Sequence, residues 1–103
     1  MTANDPLRVA LVGGEAAGSQ AFKFLLSAGV DVPFVCAATE ESAIQRLAAR
    51  EGVRVLTPES IKTGALLQAT LDSSVDLLLN VHSLSLLPGD LVAAPRVGSF
   101  NLH

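Results

Sequence analysis

The chain has 103 residues, of which half are hydrophobic and 17% are charged, and its net charge at pH 7 is −3. This composition excludes a disordered segment and fits one small domain with a single core. The negative charge offers no general attraction to nucleic acid or anionic lipid, and no segment reaches membrane-spanning length. The single cysteine excludes an internal disulfide. We therefore expect a cytoplasmic protein without membrane partners.

Short apolar runs, typical of strands, alternate along the chain with amphipathic stretches, typical of helices. In chain order, the predicted elements are a strand at 7–12, a helix at 17–28, a strand at 32–37, a helix at 40–51, a strand at 53–56, a helical segment from 57 towards 71, a strand at 75–81, a turn or short helix at 86–94 and a strand at 97–103.

Glycine and proline residues mark several of these boundaries. Gly29 and Gly52 stand where the first two helices should stop, as C-cap glycines do. Thr57 followed by Pro58 predicts an N-cap and a first helical position for the third helical segment. Gly64 leaves open whether that segment is one unbroken helix.

The fourth predicted strand, at 75–81, contains three consecutive leucines, which indicates burial on both faces. Strands that alternate with helices form βαβ units with right-handed crossovers, and these build a parallel sheet. We therefore predict an α/β fold with a doubly wound, mostly parallel, Rossmann-like sheet in the order 3-2-1-4-5. In this topology a ligand crevice opens at the carboxyl ends of the first and fourth strands.

Two segments lie at the predicted crevice. The first is Gly13-Gly14-Glu15-Ala16-Ala17-Gly18, which has Glu15 where a dinucleotide fingerprint needs glycine, so we interpret it as a tight strand-to-helix turn. The second begins with Asn80-Val81-His82, and His82 is either a ligand or base, or a hydrogen-bonded structural residue.

Two other groups of residues have structural interpretations. Cys36 lies on an apolar strand, which predicts an inert core thiol. The charged residues of the second helix predict a solvated helix face, and they are Glu40, Glu41, Arg46, Arg50 and Glu51.

The last predicted strand carries a chemically suggestive pair. Asn101 and His103 are two positions apart, so their side chains project from the same face of a strand. An amide donor beside an acid/base group can stabilise a developing oxyanion while a proton moves.

The segments that surround this pair resemble the folate-dependent formyltransferase family. The resemblance is carried by Leu86-Leu87-Pro88 and, after six residues, by Pro95-Arg96-Val97-Gly98-Ser99-Phe100-Asn101-Leu102-His103. It implies an enzyme of one-carbon metabolism, with residues 1–103 forming the amino-terminal half of an incomplete formyltransferase domain.

The resemblance also implies roles for individual residues. A substrate amine would attack the formyl carbon of 10-formyltetrahydrofolate, Asn101 would donate hydrogen bonds to the oxyanion, and His103 would stabilise it or shuttle the proton. No metal is implied. The folate pocket would be lined by Ser83, Leu84, Ser85, Leu86 and Leu87, with the three leucines as its apolar wall.

Three departures from the family pattern limit these expectations, and one of them is that the Ser-Leu-Leu-Pro stretch that usually follows the His is absent. The family's catalytic Asp lies well beyond the Asn-x-His and is absent here, so we expect the isolated 103 residues to bind folate weakly and turn over poorly. The last strand would be an exposed sheet edge, which predicts marginal folding.

The third departure concerns the acceptor. Family members that formylate initiator tRNA carry a long basic insertion after the second strand, whereas 36–39 passes straight into a helix. This disfavours tRNA and predicts a small-molecule amine or a carrier-bound amino acid. Two alternatives stay open, namely a formyltetrahydrofolate hydrolase and a non-catalytic folate-binding or assembly module.

Overall fold

The computed structural model describes residues 6–37, 43–81 and 87–102. Strands and helices alternate along these residues, with two consecutive helices before the fourth strand. The elements are β1 (Val9–Gly13), α1 (Glu15–Ser27), β2 (Phe34–Ala37), α2 (Ala43–Arg50), β3 (Arg54–Leu56), α3 (Ser60–Thr63), α4 (Ala65–Asp72), β4 (Leu77–Val81), α5 (Gly89–Ala93) and β5 (Gly98–Leu102).

The strands form one parallel sheet in the order β3-β2-β1-β4-β5, which confirms the predicted topology. Helices cover both faces, and each face has its own core. Phe22 of α1 and Ile44 of α2 are fully buried in the core on one face. Leu66 of α4 and Leu91 of α5 are buried on the other, together with Ile61 of α3.

The helix ends agree with the glycine pattern, except in the third helical segment. Gly29 and Gly52 adopt left-handed φ angles of 75° and 73° just after α1 and α2. Gly64, with φ of 87°, separates α3 from α4. The prediction of a Thr57 cap is wrong, because the helix begins only at Ser60, whose hydroxyl donates to the Thr57 carbonyl at 2.6 Å.

The sheet is less enclosed at β4 and β5 than the run of leucines indicates. Leu78 is fully buried, but Leu77 and Leu79 are only partly buried and lie on the face that carries α1. On β5, Phe100, the partner of Leu79, is 52% exposed, and Leu102, the partner of Val81, is 46% exposed. Within the described residues β5 is an edge strand, as predicted.

A close contact between two glycines joins β1 to α1. A Cβ atom on Gly13 would lie 3.2 Å from Gly18 Cα and 3.2 Å from Ile44 Cδ1. The amide of Gly18 donates to the Gly14 carbonyl at 3.2 Å, in the first turn of the helix. The glycines of this turn therefore let α1 pack directly against the end of β1.

Asp76, which the sequence analysis did not single out, links the amino ends of three strands. Its buried carboxylate accepts a hydrogen bond from the Arg8 amide at 3.0 Å, and Arg96 Nε lies 3.9 Å from its other oxygen. Its backbone carbonyl accepts from the amides of Val97 and Gly98, at 2.8 and 3.2 Å. These contacts hold the start of β5 against β4 and β1.

We predict that Gly13→Ala destabilises the fold by about 1–3 kcal/mol, because the added methyl group forces α1 and α2 away from the sheet. Gly89→Ala is the matched control, since nothing lies within 4 Å of its Cβ position and alanine favours the helix. Urea unfolding of both variants measures the difference. Equal stability of Gly13→Ala and wild type would show that the glycine contact is not a constraint.

We also predict that Asp76→Ala lowers the free energy of unfolding by about 1–3 kcal/mol, because it leaves the part-buried Arg8 amide without its acceptor. Asp72→Ala, at the exposed end of α4, removes a carboxylate without a buried partner and should change stability by less than about 0.5 kcal/mol. The same urea experiment tests the pair, and equal losses would contradict the role assigned to Asp76.

Candidate functional site

The carboxyl ends of β4 and β5 bring two primary amides together. Asn80 and Asn101 are register partners, and Val81 and Leu102 are the next pair. Register partners on parallel strands project to the same face, with the strands about 4.8 Å apart. Asn80 is buried, whereas Asn101 is exposed. The edge therefore has one amide fixed in the core and a neighbouring amide available to a ligand.

The face on which Asn101 lies is the one covered by α3, α4 and α5. Ser99, two residues before it on the same face, donates its hydroxyl to the Val92 carbonyl of α5 at 2.7 Å. Leu87, just before α5, packs against the core of this same face. One predicted pocket residue and one predicted catalytic residue thus share a side of the sheet.

The remaining predicted site residues lie outside the described part of the chain. These are His82, Ser83, Leu84, Ser85, Leu86 and His103. Their roles stay predictions. Glu40 and Glu41 also lie outside it, while Arg46, Arg50 and Glu51 are exposed as predicted.

Asn80 is the residue at this edge to which the sequence analysis gave no role. The signal was present in the two strand predictions, because β4 and β5 both end at this edge of the sheet. Pairing them, however, requires the register, which depends on where each strand begins. The structure sets that register by pairing Leu77 with Gly98.

The glycine turn at the predicted crevice is buried. Gly13 and Gly14 are buried. The Gly14 amide donates a hydrogen bond to the Val81 carbonyl at 3.4 Å, and this bond links the end of β1 to the end of β4. This agrees with the interpretation of the segment as a tight strand-to-helix turn.

Cys36 is confirmed as a buried core residue. Its Sγ lies 3.5 Å from both the Ser60 hydroxyl and the Thr57 carbonyl oxygen. Burial raises the pKa of this thiol, which the Ser60 hydrogen bond opposes. A protonated, enclosed thiol is a poor nucleophile, so Cys36 has no place in the chemistry of the site.

The described residues hold neither a cluster of metal-ligating side chains nor a membrane-spanning helix. Across 6–37, 43–81 and 87–102, no three His, Cys, Asp or Glu side chains cluster to hold a metal ion. Within the same ranges no helix has the length and apolar character needed to cross a membrane.

Comparison of the sequence with curated proteins identifies related enzymes. No family model matches the chain. Methionyl-tRNA formyltransferase of Alcanivorax borkumensis is 28% identical over 108 residues, which cover 95% of this chain and 33% of that protein. The enzymes of the same name from Parvibaculum lavamentivorans and Nitrobacter hamburgensis are 36% and 38% identical over 66 and 64 residues, about three fifths of this chain and 21% of each protein.

Comparison with solved structures agrees with this result at the level of the fold. Phosphoribosylglycinamide formyltransferase of Coxiella burnetii superposes with a TM-score of 0.70 at 16% identity, over 94% of this chain and 51% of that chain. The chain thus spans a third or less of the length of the curated relatives and about half of the solved structure's chain.

These findings correct the expectation that disfavoured tRNA and favoured a small-molecule or carrier-bound amine. All three curated relatives are methionyl-tRNA formyltransferases by name. The expectation was wrong because a short connection after the second strand concerns only one surface, and says nothing about contacts made elsewhere. The resemblance of this chain to the formyltransferase family, expected from its terminal motif, is confirmed.

Proposed function

We propose that these residues form the amino-terminal half of a formyltransferase domain, which transfers a formyl group from 10-formyltetrahydrofolate to the amine of an aminoacyl-tRNA of the methionyl type. The observation that carries the proposal is the exposed Asn101 amide at the carboxyl end of β5, within the segment that resembles the family. The names of the curated relatives support the choice of acceptor.

The described residues fit a folate-bound formyl donor. Leu87 offers apolar surface on the face of the sheet where Asn101 offers hydrogen-bond donors. Ligand sites of α/β proteins combine apolar walls with a few directed polar groups at the carboxyl edge of the sheet. By the family resemblance, residues 83–87 would line the rest of the pocket, with Leu84 and Leu86 as further apolar residues.

In this proposal the donor supplies an activated formyl carbon, and the protein supplies position and charge stabilisation. The side-chain amide of Asn101 donates hydrogen bonds to the formyl oxygen as negative charge develops on it during attack by the amine. His103, the other member of the Asn-x-His motif, accepts the proton that the amine releases. The bond between the formyl carbon and the donor nitrogen then breaks, and tetrahydrofolate leaves with that proton. Asn80 supports this arrangement as the buried neighbour of Asn101.

We predict that Asn101→Ala lowers kcat/KM for formyl transfer by about 100- to 1,000-fold, the usual loss for one oxyanion donor. Asn101 is exposed, so the free energy of unfolding should change by less than about 0.5 kcal/mol. The measurement is transfer of labelled formyl from 10-formyltetrahydrofolate to methionyl-tRNA, by the full-length protein that contains these residues.

Gln20→Ala is the control for that experiment, because it removes an exposed amide from α1 and should leave transfer unchanged. His103→Ala, measured in parallel, tests the proton-transfer role. Unchanged transfer by Asn101→Ala would refute the catalytic role. Formate release without an acceptor would favour the hydrolase, and donor binding without either reaction would favour a binding module.

A further inference from the structure

A groove of about 450 Å³ lies between α1 and α2, on the face of the sheet opposite Asn101. Its volume is in the range of small-molecule binding sites. Six described residues line it, and they are Ser19, Lys23, Ala43, Arg46, Leu47 and Arg50.

The charged side chains among these lining residues are all cationic. Lys23, Arg46 and Arg50 make up three of the seven Lys and Arg residues of a chain whose net charge is −3. Two other arginines, Arg8 and Arg96, form ion pairs with aspartates. Within the described residues Lys23 and Arg50 have no such partner, so their charge faces the groove and the solvent.

The spacing of these residues arranges them in two facing rows. Ser19 and Lys23 are four residues apart on α1, and Arg46 and Arg50 are four residues apart on α2, so each pair spans one helical turn of about 6 Å. This spacing places side chains of both helices along the groove, so an anion between the rows can contact both.

Ser19 adds an observation that is independent of charge. Its hydroxyl oxygen is buried and has no hydrogen-bond partner among the described residues. Buried hydroxyl groups are almost always hydrogen-bonded, so one at the wall of a groove with no partner among the described residues is available to hydrogen-bond a bound group. An oxygen-rich anion in the groove would supply it.

From these observations we propose that the α1–α2 groove is a binding site for phosphate groups. Ammonium, guanidinium and hydroxyl groups all donate hydrogen bonds, and phosphate is the anion that accepts several at once. The apolar side chains of Ala43 and Leu47 and the size of the groove favour a phosphate carried by a larger molecule. That molecule is either a polynucleotide backbone or a phosphorylated small molecule. The site does not depend on formyl transfer.

The first test measures how the full chain binds a labelled RNA hairpin as salt is raised, by fluorescence anisotropy. For Lys23→Gln/Arg50→Gln we expect at least a tenfold loss of affinity at about 0.05 M salt and a salt slope reduced by about 2, one for each lost phosphate contact. Arg54→Gln/Lys62→Gln removes the same charge from exposed positions elsewhere and should leave the slope unchanged.

The second test uses inorganic phosphate and ribose 5-phosphate, followed by amide shifts of α1 and α2 in NMR spectra. Ser19→Ala should weaken their binding about fivefold without changing the salt slope, because it removes a neutral donor. Groove-dependent binding of RNA supports a polynucleotide, and groove-dependent binding of the small phosphates alone supports a phosphorylated small molecule. The proposal is overturned if the groove variant and its charge-matched control behave alike with both kinds of probe.

Discussion

The buried carboxylate of Asp76 is the contact on which the position of the candidate site depends. It accepts a hydrogen bond from the Arg8 amide just before β1 and pairs with Arg96 just before β5. The backbone carbonyl of Asp76 accepts hydrogen bonds from the amides of Val97 and Gly98. Among the described residues β5 pairs only with β4, so the contacts of Asp76 are important for its register. That register sets Asn101 beside Asn80, about 10 Å along β5 from Gly98 at its start.

The segment that resembles the formyltransferases therefore has two parts with different roles. Its first part, around Arg96, fastens the strand at the amino edge of the sheet, and its last part presents Asn101 at the carboxyl edge. An arginine in such a motif invites a role in binding an anionic substrate. Here its guanidinium lies at the end of the strand remote from the candidate site, which assigns it to positioning.

Much of the fold could be predicted because it depends on local pattern. The alternation of apolar runs with amphipathic stretches predicted the parallel sheet and its strand order, and Gly29 and Gly52 marked helix ends correctly. Three features depend on tertiary packing and were not accessible from pattern alone. They are the Asn80–Asn101 register, the anchoring by Asp76, and the groove between α1 and α2. Predicting the groove requires knowledge of how the two helices are rotated relative to each other. The charged residues of each helix, considered alone, indicate only a solvated face.

The exposed apolar side chains of β5 have a consequence for how the edge of this sheet can be used. Phe100 and Leu102 point to the side of α1, whereas Ser99 and Asn101 point to the side of α5. Exposed apolar side chains and hydrogen-bonding side chains thus occupy opposite sides of one strand only five residues long. The apolar side can be shielded from water without obstructing access to the amide, and the two sides can change in sequence independently of each other.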